Sequence, residues 1–229
     1  MKGYLKRNFT PASWLIDRKA NKFIMKPKPG AHAREFGLAL NIVLKDLGYA
    51  QTSRDVRNLL RSKEVLIDGK RRNDPRFIIG LMDVLSLPEI KKNYRVILNK
   101  KGKLVLKEID EKESQIKISK VLGKSVVRKG KIQFNLHDGK NILTEEKAKV
   151  GDSLVLELPK IKIKQVLEFK KGAHIFLLRG KYVGSQGVLL EIAGNKIIYQ
   201  KGKEKVETLK DYALVIGEKE PLIKIENGN

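Results

Sequence analysis

Apolar positions 36, 40, 43, 44 and 47 (Phe36, Leu40, Val43, Leu44, Leu47) recur at helical spacing, and Gly48 follows as a stop. The pattern predicts a helix over 33–47. A second helix opens at Thr52, with Asp55 three residues on in a capping-box arrangement, and runs to Lys63. At about 100° per residue, Val56, Leu59 and Leu60 share one face. The opposite face carries Arg54, Arg57 and Arg61 with no acid between them. Three guanidiniums at i, i+3 and i+7 suit a row of phosphates, each able to bind bidentately.

Beyond that helix the period changes to two. "VLIDGKRR" places Asp68-Gly69 between an apolar and a basic run, the signature of a tight hairpin. Asn73-Asp74-Pro75 marks a second turn, and "FIIG" and "MDVLSL" read as strands. Lys70, Arg71, Arg72 and Arg76 follow the arginine helix closely in the chain, so the hairpin is expected to extend its phosphate-binding surface. From 94 onward short strand candidates dominate: "YRVIL", "KLVLKEI", "SQIKISKVL", "KIQFNL" and "SLVLELP". Turn signals separate them at Lys101-Gly102, Lys129-Gly130, Asp138-Gly139 and Gly151-Asp152, a spacing that suggests a small barrel or sandwich. "KGAHIFLLRGKYVGSQGVLLEI" is punctuated by Gly180, Gly184 and Gly187, which permit a tight loop and close backbone approach. Lys181 sits in that loop, and Arg179 and Tyr182 flank the turn. The chain returns through "NKIIYQ", "EKVETL" and "YALVIG".

The start differs from both regions. It holds Lys2, Lys6, Arg7, Arg18, Lys19, Lys22, Lys26 and Lys28 against a single acid, Asp17, and "KPKPG" cannot be helical. Its apolar residues distinguish it from a plain tail. The segment is read as a basic arm that orders when it docks on nucleic acid and is unstructured without it. Trp14 is read as a packing anchor more than a stacking platform. The expected organisation is an arm over 1–35, a helix-hairpin domain over 36–93, a central β domain over 94–165 and a last β domain over 166–229.

Charge decides the partner class. The 229 residues include 49 Lys+Arg and 26 Asp+Glu, a formal net charge of +23. That excess attracts polyanions, nucleic acid first and an anionic membrane surface second. No apolar run approaches the ~18 residues of a spanning helix. The basic start lacks the apolar core of a secretory signal, and with no cysteine at all a cytoplasmic location is expected. Aromatics at 6% argue against a binder built mainly on base stacking.

No catalytic constellation emerges. Gly123-Lys124-Ser125 resembles the end of a P-loop, but Ile118 stands where its first glycine belongs. His32, His137 and His174 show no metal spacing, and His137-Asp138 reads as a loop pair. The expectation is no enzyme, no cofactor and no metal.

Three stretches carry a family resemblance. "VLIDGKRRND" with "GLMDVLSL" resembles the RNA-binding fold named after bacterial small-subunit ribosomal protein four. "HIFLLRGKYVGSQGVLLEI" resembles a KOW motif. The arm, with Leu5-Lys6-Arg7, Pro11, Trp14, Pro27, Pro29, Gly30, His32, Arg34 and Glu35, is similar to the opening of the archaeal and eukaryotic S-four-E family of small-subunit ribosomal proteins, and "ALVIG" matches that family's closing strand. Tyr4 and Ala31 depart from the family's usual histidine and proline. The close after "PLIKI", without the longer basic tail of eukaryotic members, points to an archaeal-like source.

The resemblance implies an α+β chain: basic arm, two-helix and hairpin RNA-binding domain, mostly β centre, and a KOW-containing SH3-like barrel. It implies a structural constituent of the small ribosomal subunit that binds rRNA, supports assembly and translation, and meets neighbouring ribosomal proteins, with no membrane and no free homo-oligomer. The residues expected to contact RNA are Lys6, Arg7, Trp14, Arg18, Lys26, Lys28, His32, Arg34, Arg54, Arg57, Arg61, Lys70, Arg71, Arg72, Arg76, Arg179 and Lys181. The alternatives are an RNA-modifying enzyme sharing the module, such as a pseudouridine synthase, or a KOW-type transcription elongation factor.

Overall fold

The computed structural model describes residues 3–127, 131–218 and 220–225. Lys2 and the expected Lys129-Gly130 turn lie outside them. The chain is mixed but mostly β, with few helices. It divides into two compact units, one formed by 1–97, 103–115 and 158–160, the other by 98–102, 116–157 and 161–229.

In the first unit, helix α1 spans Leu40–Asp46 and helix α2 spans Ser53–Ser62. The predicted helix over 33–47 is therefore corrected: its first half is a 3-10 turn at Arg34–Phe36 and a strand at Gly37–Ala39. That strand pairs antiparallel with Ile78–Gly80, with Gly37 opposite Gly80. A Cβ on Gly37 would stand 2.6 Å from Cγ1 of Ile78, and one on Gly80 would stand 2.4 Å from Cγ of His32. Long-range pairing of two glycines outcompetes the local helical pattern here. The first amides of α1 are then satisfied from outside the helix: Leu40 N–H donates to the Phe77 carbonyl and Asn41 N–H to that of Pro75, each at 2.9 Å.

Helix α2 starts as expected. Thr52 Oγ1 accepts from Asp55 N–H, and the Asp55 carboxylate accepts from Thr52 N–H. Its Val56 and Leu60 are wholly buried, and Leu59 partly so. The hairpin pairs Leu66–Ile67 with Lys70–Arg71. Asp68 (φ 50°) and Gly69 (φ 73°) both take the left-handed conformation that a type I′ turn requires. The hairpin joins a five-stranded sheet in the order 70–71, 66–67, 84–87, 92–98, 104–109.

The arm is part of this unit. Tyr4–Lys6 pairs with Phe23–Met25, Ile24 and Met25 are buried, and Trp14 is 1% exposed. Trp14 Nε1–H donates to the Arg34 carbonyl at 3.0 Å, and its backbone bridges Leu104. The expectation of an arm without structure of its own is corrected by this anchoring. An aromatic of that size removes enough apolar surface from water to hold a short segment.

The second unit holds two five-stranded antiparallel sheets. One runs 141–144, 132–136, 116–126, 153–157, 162–167; the other 204–209, 196–201, 186–193, 174–177, 213–217. The first encloses a core of Val121, Phe134, Leu136, Ala148, Leu154 and Leu156. Lys117, on the strand 116–126, is fully buried, its Nζ 2.8 Å from Asp138, and Lys140 Nζ lies 3.2 Å from the same carboxylate. Burial pushes the Asp138 carboxyl upward, but the Lys117 and Lys140 ammoniums outweigh it and hold it well below the usual carboxylate range. Gly123-Lys124-Ser125 lies inside the strand Ile116–Val126, a setting unlike the strand-to-helix loop of a P-loop.

Candidate nucleic-acid interface

The amphipathic division of α2 sets its polar face outward. Arg54, Arg57 and Arg61 are exposed. Arg57 Nε–H makes a long bond to the Ser53 carbonyl at 3.3 Å, and among the described residues none of the three arginines is ion-paired. The nearby acid, Asp55, is committed to the cap, and its bonds to Thr52 hold its carboxyl below the usual range. Helix geometry thus leaves three exposed guanidiniums on one face, with only Arg57 Nε–H turned back to the helix.

On the hairpin, Lys70 and Arg71 are exposed. Arg72 is half-buried and stacks on the Phe77 ring, its guanidinium carbon 4.4 Å from the centroid. Arg76 is half-buried, and its Nε–H donates to the Lys26 carbonyl at 3.1 Å. These two arginines serve packing as well as charge.

The arm residues separate into two groups. Lys6, Arg18, Lys28 and Arg34 are exposed, and Arg7 and Lys26 half-buried. Arg7 donates to the Asp17 carbonyl, Arg18 donates to that of Thr10 at 3.3 Å, and Lys28 pairs with Asp74. Lys26, Lys28 and Arg34 line an open cleft of about 350 Å³ around Gly30. Trp14 and His32 do not share this exposure. His32 Nε2 lies 2.9 Å from Asp83 Oδ2, which also accepts from Gly80 N–H, and both side chains are buried. His32 ties the arm to the 80–83 turn and Trp14 anchors it on Arg34 and Leu104, so both leave the expected contact set.

In the second unit Arg179 and Lys181 are exposed beside Gly180, which has φ 88°. Gly184 (φ 73°) lies so close to Asn99 that an added Cβ would stand 2.1 Å from its carbonyl oxygen. The fold adds to Lys181 and Tyr182 a third residue, Lys201, that sequence reading missed. The Lys181 and Lys201 ammoniums lie 5.6 and 5.1 Å from the Tyr182 ring centroid. Lys201 is twenty residues away, on the strand Lys196–Lys201, and reaches the loop only through antiparallel pairing of 186–193 with 196–201.

Comparison with known proteins gives three family matches: the RS4NT domain over 1–35, the S4 domain over 40–85 and "Ribosomal family S4e" over 90–163. A small ribosomal subunit protein eS4 from Methanosphaera stadtmanae is 38% identical over 99% of this chain and 97% of its own length. The chain belongs to the S4e family. Further S4e relatives include the eS4 of Methanocaldococcus jannaschii, 36% identical over 98% of each chain, and that of Nanoarchaeum equitans, 41% identical over 84% of this chain and 85% of its own. The crystal structure of the 30S ribosomal protein S4e from Thermoplasma acidophilum matches with a TM-score of 0.67 and 28% identity, covering 80% of this chain and 95% of that one. The S4 match spans α1, α2 and the hairpin, so the arginine face lies on the module that names this RNA-binding fold.

Proposed function

We propose that this S4e-family chain is a structural, non-enzymatic constituent of the small ribosomal subunit that binds rRNA and supports assembly and translation in the cytoplasm. The observation that carries the reading is the unpaired Arg54/Arg57/Arg61 face on the S4 domain of a chain with net charge +23. A-form RNA presents backbone and shape rather than a readable major groove, and a row of guanidiniums addresses the backbone. Lys70 and Arg71 extend that surface, with Arg72 and Arg76 behind them. Lys6, Arg7, Arg18, Lys26, Lys28 and Arg34 give the arm its own phosphate contacts. Neighbouring small-subunit proteins are the other partners.

The division into arm, helix-hairpin domain, central β domain and last β domain belongs to the same proposal. So does a KOW-type SH3-like module over 166–229, supported by Gly180, Gly184 and Gly187 in and beside the link between the strands at 174–177 and 186–193. Arg179, Lys181, Lys201 and Tyr182 form its RNA-facing group. The test is retention of the purified chain on its own small-subunit rRNA against an unrelated RNA of equal length. Preferential retention is expected; equal retention contradicts rRNA recognition.

A further inference from the structure

The chain is poor in aromatics, and their placement is uneven. Of its 7 Phe and 6 Tyr, only Tyr4, Phe9 and Phe23 are exposed among the described residues, and all three lie in the arm. Tyr4 is 59% and Phe23 52% exposed. A ring left that far in water contributes little of the burial that holds a segment in place. Trp14, Ile24 and Met25, all buried, supply that burial instead.

Strand pairing puts two of the open rings on one surface. In the ribbon of Tyr4–Lys6 with Phe23–Met25, Lys6 stands opposite Phe23 and Tyr4 opposite Met25. Directly opposite residues share a face, as do residues two apart on one strand. Tyr4, Lys6, Phe23 and Met25 therefore lie on one face, with Leu5 and Ile24 on the other. Met25 is buried, so the open part of the face is Tyr4, Lys6 and Phe23. Tyr4 and Phe23 are diagonal neighbours, a relation that sets residues roughly 7–8 Å apart. The Lys22 ammonium lies 5.6 Å from the Phe23 ring centroid. Neither Lys6 nor Lys22 is ion-paired among the described residues. Asp17 is the one acid among residues 1–34, and its carboxylate accepts from Lys19 N–H.

We infer that this face stacks unpaired nucleobases of RNA, one on Tyr4 and one on Phe23, while Lys6 and Lys22 meet the adjoining phosphates. Rings on neighbouring strands with cations set among them match the alternation of base and phosphate along an unpaired strand. An apolar protein surface would suit the rings alone, but it would bury the Lys6 charge without a partner. On the rRNA reading, on which this assignment rests, phosphate contacts fade as salt rises; stacking adds a part of the affinity that does not.

The test is the affinity of the full chain for its own small-subunit rRNA across a salt series. Tyr4→Ala with Phe23→Ala removes both rings and leaves every charge in place. Each lost stack is worth about fivefold or more, so binding should weaken roughly thirtyfold at every salt concentration, with the salt slope unchanged. Tyr4→Leu with Phe23→Leu restores apolar bulk without a π-face and should stay weak, whereas Tyr4→Phe with Phe23→Tyr should bind as wild type. Ultraviolet crosslinking of the wild-type complex should place nucleotides on Tyr4 and Phe23. Unfolding midpoints are the fold control; if the substituted chains fail to fold, the crosslinks decide. Wild-type affinity in the folded alanine pair, or crosslinks on neither residue, overturns the stacking and leaves the rRNA reading standing. So does wild-type affinity in the leucine pair, which means an apolar contact, or a loss confined to the salt slope, which means phosphate contact alone. Wild-type binding with no preference for this rRNA over an unrelated RNA overturns the rRNA reading and the stacking with it.

Discussion

Replacing Arg54, Arg57 and Arg61 together by alanine removes three charges from one face of α2 and leaves its buried face intact. Val56 and Leu60, both fully buried, are untouched, and alanine is the best helix former, so stability should hold or rise slightly. The capping box lies outside the substitutions, and Arg57 forfeits only its long intrahelical bond to Ser53. The effect therefore falls on RNA. Each neutralised phosphate contributes about 0.7–0.9 to the slope of log affinity against log salt, so three contacts contribute roughly 2–3. Between ~50 and ~200 mM salt, wild type should lose about 20–40-fold more affinity than the variant. Filter binding or fluorescence anisotropy on small-subunit rRNA at four salt concentrations reads this directly, with circular dichroism as the fold control. A parallel salt plot, with the slope unchanged, removes this face from the interface.

The remaining predictions concern the rest of the molecule. Lys181→Ala with Lys201→Ala should lower the same slope by about 1–2, additively with the arginine variant if the two groups engage separate phosphates. Trp14→Ala empties a fully buried site and should cost about 3–5 kcal/mol, read as a lower unfolding midpoint and as new protease cleavage within residues 3–35. Lys120 is 5% exposed and its Nζ donates to the Asp211 carbonyl at 2.8 Å; burial, only partly offset by Asp211, pushes its amine down to about 8. The unfolded chain therefore binds more protons than the folded chain between about pH 8 and 10.5, and folding stability rises with pH across that window, by up to about 3 kcal/mol from this group. Any stability advantage of Lys120→Met over wild type should accordingly shrink from pH 7 to pH 10 in urea titrations; an advantage independent of pH contradicts the assignment.

Local chemistry made part of this molecule legible in advance. The Thr52/Asp55 box and the Val56/Leu60 spacing define α2 to within a residue, because cap and amphipathic face are both encoded locally. Asp68-Gly69 defines its hairpin for the same reason. Where a distant segment decides the structure, local pattern fails. Phe36 and Leu40 carry a helical period, yet 37–39 become a strand because Gly37 meets Gly80 more than forty residues away. Lys117 and Arg95 are charged strand residues that nonetheless lie fully buried, where Asp138 and Glu113 reach them from other elements. The basic residues of the interface were countable from composition, and the helix period placed three of them on one face. That His32 turns inward to Asp83, and that Lys201 joins Lys181 over Tyr182, follows from pairing alone.

The central claim is tested most directly by sedimentation of the tagged chain from its own cell lysate, in low salt and again after a wash near molar salt. At that ionic strength the screening length falls to ~3 Å, and loose polyelectrolyte binding is lost. The account predicts that the chain stays with the small subunit through the wash. A chain released into the free fraction, or sedimenting with RNA polymerase, contradicts it.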